Sequence, residues 1–266
     1  MAEFESWKQY WEFSHYVMRV ARHVLDAKNR QFLDTVVETS AKRRILIRAD
    51  AVLWRAQLGH SFRTEPILDD REQERGSYEV EEPFPPERMV PLGDRANEGR
   101  VNPKGIPCLY LSYDRDTAMT ETRPWVGSGV SVAQFRILKD LTVVDCSADF
   151  ERQEFGPVYL DGEPEPGKRE ESVWWYINRA FSQPVTRSDD VAEYAPTQVL
   201  AEGFRSAGCD GIVYGSRLGS GKTVALFDLA AARLVSCQLH VVKAVAVEYS
   251  EPDKQYYIAR GYIIEA

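Results

Sequence analysis

Apolar residues recur at spacings of three and four from the start of the chain. Trp7, Tyr10, Trp11, Phe13, Tyr16, Val17, Val20 and Val24 form one wide stripe, the mark of a helical segment packed along one face. A second helical pattern spans 31–43, so helices are expected over about 4–42. The period then changes. AVLWRAQ at 51–57 reads as a strand. Residues 61–106 are polar, rich in Pro, Gly and Glu, and weakly periodic. They read as one long loop, a kind of segment often tied to function. CLYLS at 108–112 is a short apolar strand, and 114–121 is a short helix with Asp114 as its N-cap. Strands are expected at 131–138 and 141–145. Residues 150–169 form another Gly/Pro/Glu-rich surface loop. Helices follow at 171–182 and 194–207, the latter stopped by Gly208. Strands at 212–214, 223–227, 238–248 and 256–264 complete a strand-rich C-terminal half. No internal repeat is present. The sum is an α+β protein, with a helical N-terminal appendage over 1–48 and a main domain over 49–266.

Composition narrows the function classes. The 266 residues carry a net charge of −8, which argues against direct nucleic-acid binding, since that needs a basic surface. No apolar run approaches a membrane span. The opening MAEFESWKQYWEF is acidic and aromatic, unlike a secretory signal, so a cytoplasmic protein is expected. Cys108, Cys146, Cys209 and Cys237 stand far apart with no C-x-x-C pair. They suit buried thiols in a reducing compartment and offer no metal-ligand spacing.

GSRLGSGKTVALFD at 215–228 ends its glycine-rich part in GKT, as a phosphate-binding P-loop does. The register rejects that reading. A P-loop requires a glycine five residues before the Gly-Lys pair. That position, counted back from Gly221, is Ser216. A P-loop also runs into a helix, whereas TVALF at 223–227 reads as a strand.

Three segments place unusual polar residues beside apolar strands. LWRA at 53–56 puts Arg55 in mid-strand, where a guanidinium needs an anion or water. GRVNPKGIPCLYLS at 99–112 and TAMTETRP at 117–124 set Arg100, Asn102, Tyr110 and Glu121 around one strand and one helix. DGIVYGSR at 210–217 ends a strand at Tyr214 and Ser216, in a glycine-rich turn. Each residue alone has an ordinary structural explanation. Together, with TQVLAE at 197–202 and ALFD at 225–228, they resemble the RES-domain family over about residues 50–230. One departure stands out: Thr223 occupies a place where the family usually has Asn.

The resemblance implies an ADP-ribosyltransferase-like fold and NAD⁺ chemistry. Characterised RES proteins are bacterial toxins that break the nicotinamide–ribose bond by hydrolysis or phosphorolysis. Some ADP-ribosylate a protein. They are commonly paired with a Xre-type antitoxin that blocks the site. Carried over, Glu121 would stabilise the oxocarbenium-like ribose. Arg55 and Arg100 would hold the pyrophosphate, and Tyr110 would stack on the nicotinamide. Ser216 would bond either the carboxylate or the ribose, with Asn102 and Tyr214 as further substrate-binding residues. NAD⁺ would be consumed as substrate, with inorganic phosphate as an optional co-substrate, and no metal or resident cofactor is expected. Water, phosphate and a protein side chain stay open as acceptors. A silent binding module, using the fold for a nucleotide or the N-terminal helices for a partner or for oligomerisation, is the alternative of a different class.

Overall fold

A computed structural model describes residues 3–93, 95–147, 156–160, 162–183, 191–247, 256–259 and 262–265. The chain is α+β, built on an eight-stranded mixed sheet. In chain order the elements are α1 (Gln9–Arg19), α2 (Ala27–Thr39), β1 (Arg44–Ile47), β2 (Val52–Leu58), β3 (Ser61–Leu68), β4 (Glu74–Glu82), α3 (Pro86–Met89) and β5 (Leu109–Ser112). Then come α4 (Arg115–Glu121), β6 (Gly129–Ile137), β7 (Leu141–Asp145), α5 (Pro166–Ser182), α6 (Ala195–Ser206), β8 (Gly211–Gly215), β9 (Lys222–Leu226) and β10 (Ala232–Val241), and last β11 (Tyr256–Ala259) and β12 (Tyr262–Glu265).

The N-terminal stripe buries Trp7, Tyr10, Phe13 and Val17 and leaves Val20 and Val24 exposed. α2 begins four residues before the expected 31, because Asp26 caps it by accepting the Asn29 N–H at 2.8 Å. Both helices pack on α6. Phe13, Phe32 and Val36 share one apolar cluster with Trp174, Phe181 and Phe204 of α5 and α6 and with Ile212 and Tyr214 of the sheet. β1, inside the 1–48 segment, pairs with β7.

Strand order is β1-β7-β8-β9-β5-β2-β6-β10. Only β7 and β8 run parallel within it. Side chains alternate between two cores, as a strand's period of two requires. Val144, Ile212 and Ala225 face the helices, while their neighbours Val143, Val213 and Val224 face a second cluster with Leu109, Leu111, Phe135 and Ile137. That second cluster joins β1 and β7 at one end of the sheet to β6 near the other, so the sheet curls around it. One junction is weak. β2 pairs fully with β6, and β5 with β9, but β2 and β5 meet only at Trp54 and Ser112.

The long loop expected over 61–106 is corrected. β3 and β4 form an antiparallel hairpin, followed by the single turn α3. The alternation was hidden because both faces of the hairpin are largely exposed, so neither needed an apolar row. Its turn has no glycine: Asp69 accepts the N–H groups of Arg71 and Gln73, and Glu72 takes φ 60°. β10 runs over 232–241 where 238–248 was expected, and residue 248 lies outside the described residues. So do 150–155 and 161 of the surface loop expected at 150–169, whose end forms the first turn of α5 from Pro166. In place of one strand at 256–264 there are two antiparallel strands, β11 and β12, and 260–261 lie outside the described residues.

Because Phe13 is fully buried in a cluster shared with α5 and α6, Phe13→Ala is expected to destabilise the whole chain by about 3–5 kcal/mol. Urea unfolding followed by far-UV and tryptophan signals checks this. Two separate transitions in the wild type would show instead that the first two helices fold on their own.

Candidate active site

Where β2 and β5 part company, a backbone acceptor is released. Arg55, one residue past the Trp54–Ser112 pair, donates from Nη1 to the Tyr110 carbonyl at 3.1 Å. Its Nε is shut away from solvent with no partner. Withdrawal of the guanidinium from water pushes the Arg55 pKa down to about 10, partly opposed by Tyr110. The side chain is still cationic at neutral pH.

At the gap lies a cavity of about 430 Å³, lined by Arg55, Arg100, Tyr110, Glu121, Tyr214 and Thr223 among others. Its floor is a single row across the sheet. Tyr214 pairs with Thr223, Thr223 with Ser112, and Ser112 with Trp54. Directly paired residues share a face, and all four line the cavity. Burial holds Tyr110 well above its ordinary value and Tyr214 at about 12, with Arg100 opposing both. Both phenols are therefore neutral, as hydrogen-bonding and stacking groups.

Glu121 ends α4, whose N-terminus is capped by Asp114 accepting the Thr117 N–H at 2.7 Å. Ser216 donates its hydroxyl to Glu121 Oε1 at 2.6 Å. Ser216 Oγ in turn accepts from the N–H groups of Leu218 (3.2 Å) and Gly219 (2.9 Å). The donor and both lone pairs of Ser216 are thus used within the protein, so it positions Glu121. The other carboxylate oxygen, Oε2, lies 4.0 Å from Arg100 Nη1. Arg100 Nε has no partner, and its guanidinium sits 5.8 Å from the centre of the Tyr214 ring.

The glycine-rich loop exists to press against α4. A Cβ on Gly221 would fall 2.5 Å from Thr117 Oγ1 and closer still to Asp114 Oδ2, and one on Gly219 would fall 2.8 Å from Thr120 Oγ1. Gly221 N–H donates to Thr117 Oγ1 at 3.1 Å. Lys222, the lysine of GKT, pairs with Asp145 at 3.5 Å and is absent from the cavity lining.

Five of the seven expected residues, Arg55, Arg100, Tyr110, Glu121 and Tyr214, line this one cavity, and Ser216 stands behind it. Asn102 does not line it. Asn102 is buried and donates to the carbonyls of Asn97 (2.9 Å) and Ile106 (2.8 Å), while its Oδ1 accepts from the Tyr110 hydroxyl at 2.7 Å. It staples the loop and fixes Tyr110. Gly99 makes room for this bond, since a Cβ there would fall 2.7 Å from the Tyr110 hydroxyl. Trp54, Ser112, Arg123 and Tyr194 also line the cavity, and the chain pattern did not single them out. Thr223 is buried with an unpartnered hydroxyl. Only cross-strand pairing, invisible in one sequence, brings it beside Tyr214. Among the described residues no cluster of metal-ligating side chains occurs, and no helix is long and apolar enough to cross a membrane.

A family model described as the RES domain matches residues 71–250. That span contains every residue above except Arg55 and Trp54. No curated protein matches the chain. Among solved structures it is similar to the crystal structure of the M. tuberculosis MbcT–MbcA toxin–antitoxin complex. The identity is 13%, the TM-score 0.34, and the match covers 78% of this chain and 92% of that one.

Two substitutions separate the roles of the hydroxyls. Ser216→Ala removes a donor to a carboxylate and strands two N–H groups, so it should destabilise by about 1–3 kcal/mol. Thr223→Val removes a buried hydroxyl that has no partner and should be neutral or stabilise by up to about 1 kcal/mol. Denaturant midpoints at constant m-value check both. A destabilising Thr223→Val would show that this hydroxyl serves the fold.

Proposed function

This chain belongs to the RES-domain family, and from that premise we propose that it cleaves the nicotinamide–ribose bond of NAD⁺ and acts as a toxin by depleting it. The observation that carries the reading is Glu121. It is the one carboxylate in the cavity lining, fixed by Ser216 at 2.6 Å, and shares that lining with Arg55, Arg100, Tyr110 and Tyr214.

The chemistry asks little of proton transfer. The bond between ribose C1′ and the pyridinium nitrogen breaks with its electron pair returning to the ring, so nicotinamide leaves neutral without a general acid. The ribose gathers positive charge as in glycoside cleavage. Glu121 Oε2, which Ser216 does not occupy, suits stabilisation of that charge. Arg55 and Arg100 offer planar donors to the pyrophosphate. Both have an Nε without a protein partner, as a site waiting for an anion would. Tyr110 and Tyr214 offer aromatic faces to the nicotinamide.

Attack at C1′ completes the reaction. Water gives ADP-ribose and releases a proton. Inorganic phosphate gives ADP-ribose 1″-phosphate, and Arg123 at the cavity rim adds a third cation on which a phosphate could dwell. A protein acceptor would make the chain an ADP-ribosyltransferase. A Xre-type antitoxin is the partner that the family resemblance supports.

NAD⁺ loss by the purified chain, with and without phosphate and with products identified by mass, tests the reading. Glu121→Gln should lower turnover by about 10²–10³-fold while the melting temperature holds. Lys222→Ala breaks only a weak, half-exposed ion pair and should change turnover by no more than about twofold. Equal damage from the two substitutions would remove the reaction from this cavity. No NAD⁺ loss from the folded wild type would leave the binding-module alternative standing.

A further inference from the structure

A cavity of about 470 Å³ shares no lining residue with the one beside Glu121. It lies between α1, α5 and the segment 156–158, and its size is that of a small-molecule site. Tyr10 and Trp11 come from α1, and Trp175, Tyr176, Arg179 and Gln183 from α5 and its C-cap. The walls are held in place. Tyr176 donates its hydroxyl to the Pro157 carbonyl at 2.9 Å. Trp11 and Trp175 meet the Tyr176 ring edge-on, at 4.7 and 5.0 Å between centres, a favoured arrangement of aromatic pairs. Gly156 lies so close to Trp175 that a Cβ there would fall 2.5 Å from the ring. The α1 wall precedes residues 71–250, so the cavity is not confined to the span that the family model matches.

Four aromatic rings invite a cation, but this lining already holds one. The Arg179 guanidinium stands 5.3 Å from the centre of the Trp175 ring, and among the described residues it is the single charged side chain of the lining. Burial raises the phenol pKa of both Tyr10 and Tyr176, so neither supplies a negative charge at neutral pH. Gln183 adds an amide at the exposed rim. One positive charge beside an aromatic chamber disfavours cations and favours an anion. The planar guanidinium matches a pair of acidic oxygens, and the rings match a flat apolar body. We propose that this cavity binds a small aromatic anion, its ring against Trp11 and Tyr176 and its acidic group on Arg179. The site is independent of the NAD⁺ reading.

Naphthalene-2-sulfonate and 2-naphthylmethylammonium share one ring system and differ in charge. Calorimetry on the full chain should show the sulfonate binding about tenfold more tightly than the ammonium, or better. Arg179→Gln should erase that preference. Trp11 is 43% exposed, so Trp11→Ala leaves the core intact, and it should weaken sulfonate binding by about three- to tenfold. Melting curves check that both variants fold, and Trp11→Ala decides alone if Arg179→Gln does not. Sulfonate affinity that neither substitution alters would place the probe elsewhere, as on the arginines beside Glu121, and overturns the assignment. So does an ammonium bound as tightly as the sulfonate, or no binding of either probe at about 1 mM.

Discussion

The structure turns on the place where the central sheet stops being a sheet. β2 and β5 share one residue pair, Trp54 with Ser112, and then diverge while each remains paired on its far side. Divergence frees backbone groups that must find partners. The Tyr110 carbonyl finds Arg55. A guanidinium placed there is costly, as its lowered pKa records, and one backbone bond does not offset the loss of water. The arrangement makes sense if an anion completes it. The cavity beside Glu121 lies at the same divergence, with Arg55 and Tyr110 in its lining.

Against this wedge the cavity's carboxylate is held from behind. Glu121 sits at the end of a seven-residue helix, a position that would fray if left to helix propensity alone. It is fixed from three directions. Asp114 caps the start of α4, Thr117 accepts from Gly221, and Ser216 takes Glu121 Oε1. Two glycines are required because the loop lies on α4 closer than any Cβ allows. A loop selected to press backbone against a helix and a loop selected to wrap a phosphate converge on the same residues. Here that convergence yields GSGKT, with its lysine turned to Asp145.

How much of this was legible in the sequence follows from the kind of constraint involved. Helix α4, its Asp114 cap and the strand around Tyr110 were legible because local periodicity and capping specify them. The α+β class was legible from the same periodicity, and the five expected residues that line the first cavity were legible from their resemblance to the RES-domain motifs. The β3–β4 hairpin was not, since both its faces are exposed and its turn uses Asp69 in place of glycine. Asn102 sits inside a site motif, yet its side chain bonds Asn97, Ile106 and Tyr110 and lines a neighbouring cavity instead of the first, a placement that no linear pattern specifies. The row Tyr214–Thr223–Ser112–Trp54 joins four stretches through strand register, and register is a property of the pairing.

The electrostatics of the cavity bear on what it accepts. Arginines 55, 100 and 123 face one carboxylate, in a protein whose net charge is −8. A local cationic excess inside an acidic protein is not a by-product of composition. It repels free cations and draws in a ligand that carries more negative than positive charge. NAD⁺ meets that description: its pyrophosphate carries two negative charges, and its pyridinium ring carries one positive charge. The two ends call for opposite partners a short distance apart, and the cavity supplies Arg100 and Glu121 side by side at 4.0 Å. The neutral phenols of Tyr110 and Tyr214 keep that contrast sharp, because an ionised tyrosine would compete with both the carboxylate and the incoming phosphates. In the proposed reaction, loss of the positive charge on nicotinamide at bond cleavage would weaken its attraction to Glu121 while the charge on ribose grows, so the single carboxylate would pass from holding the leaving group to stabilising the carbon it leaves.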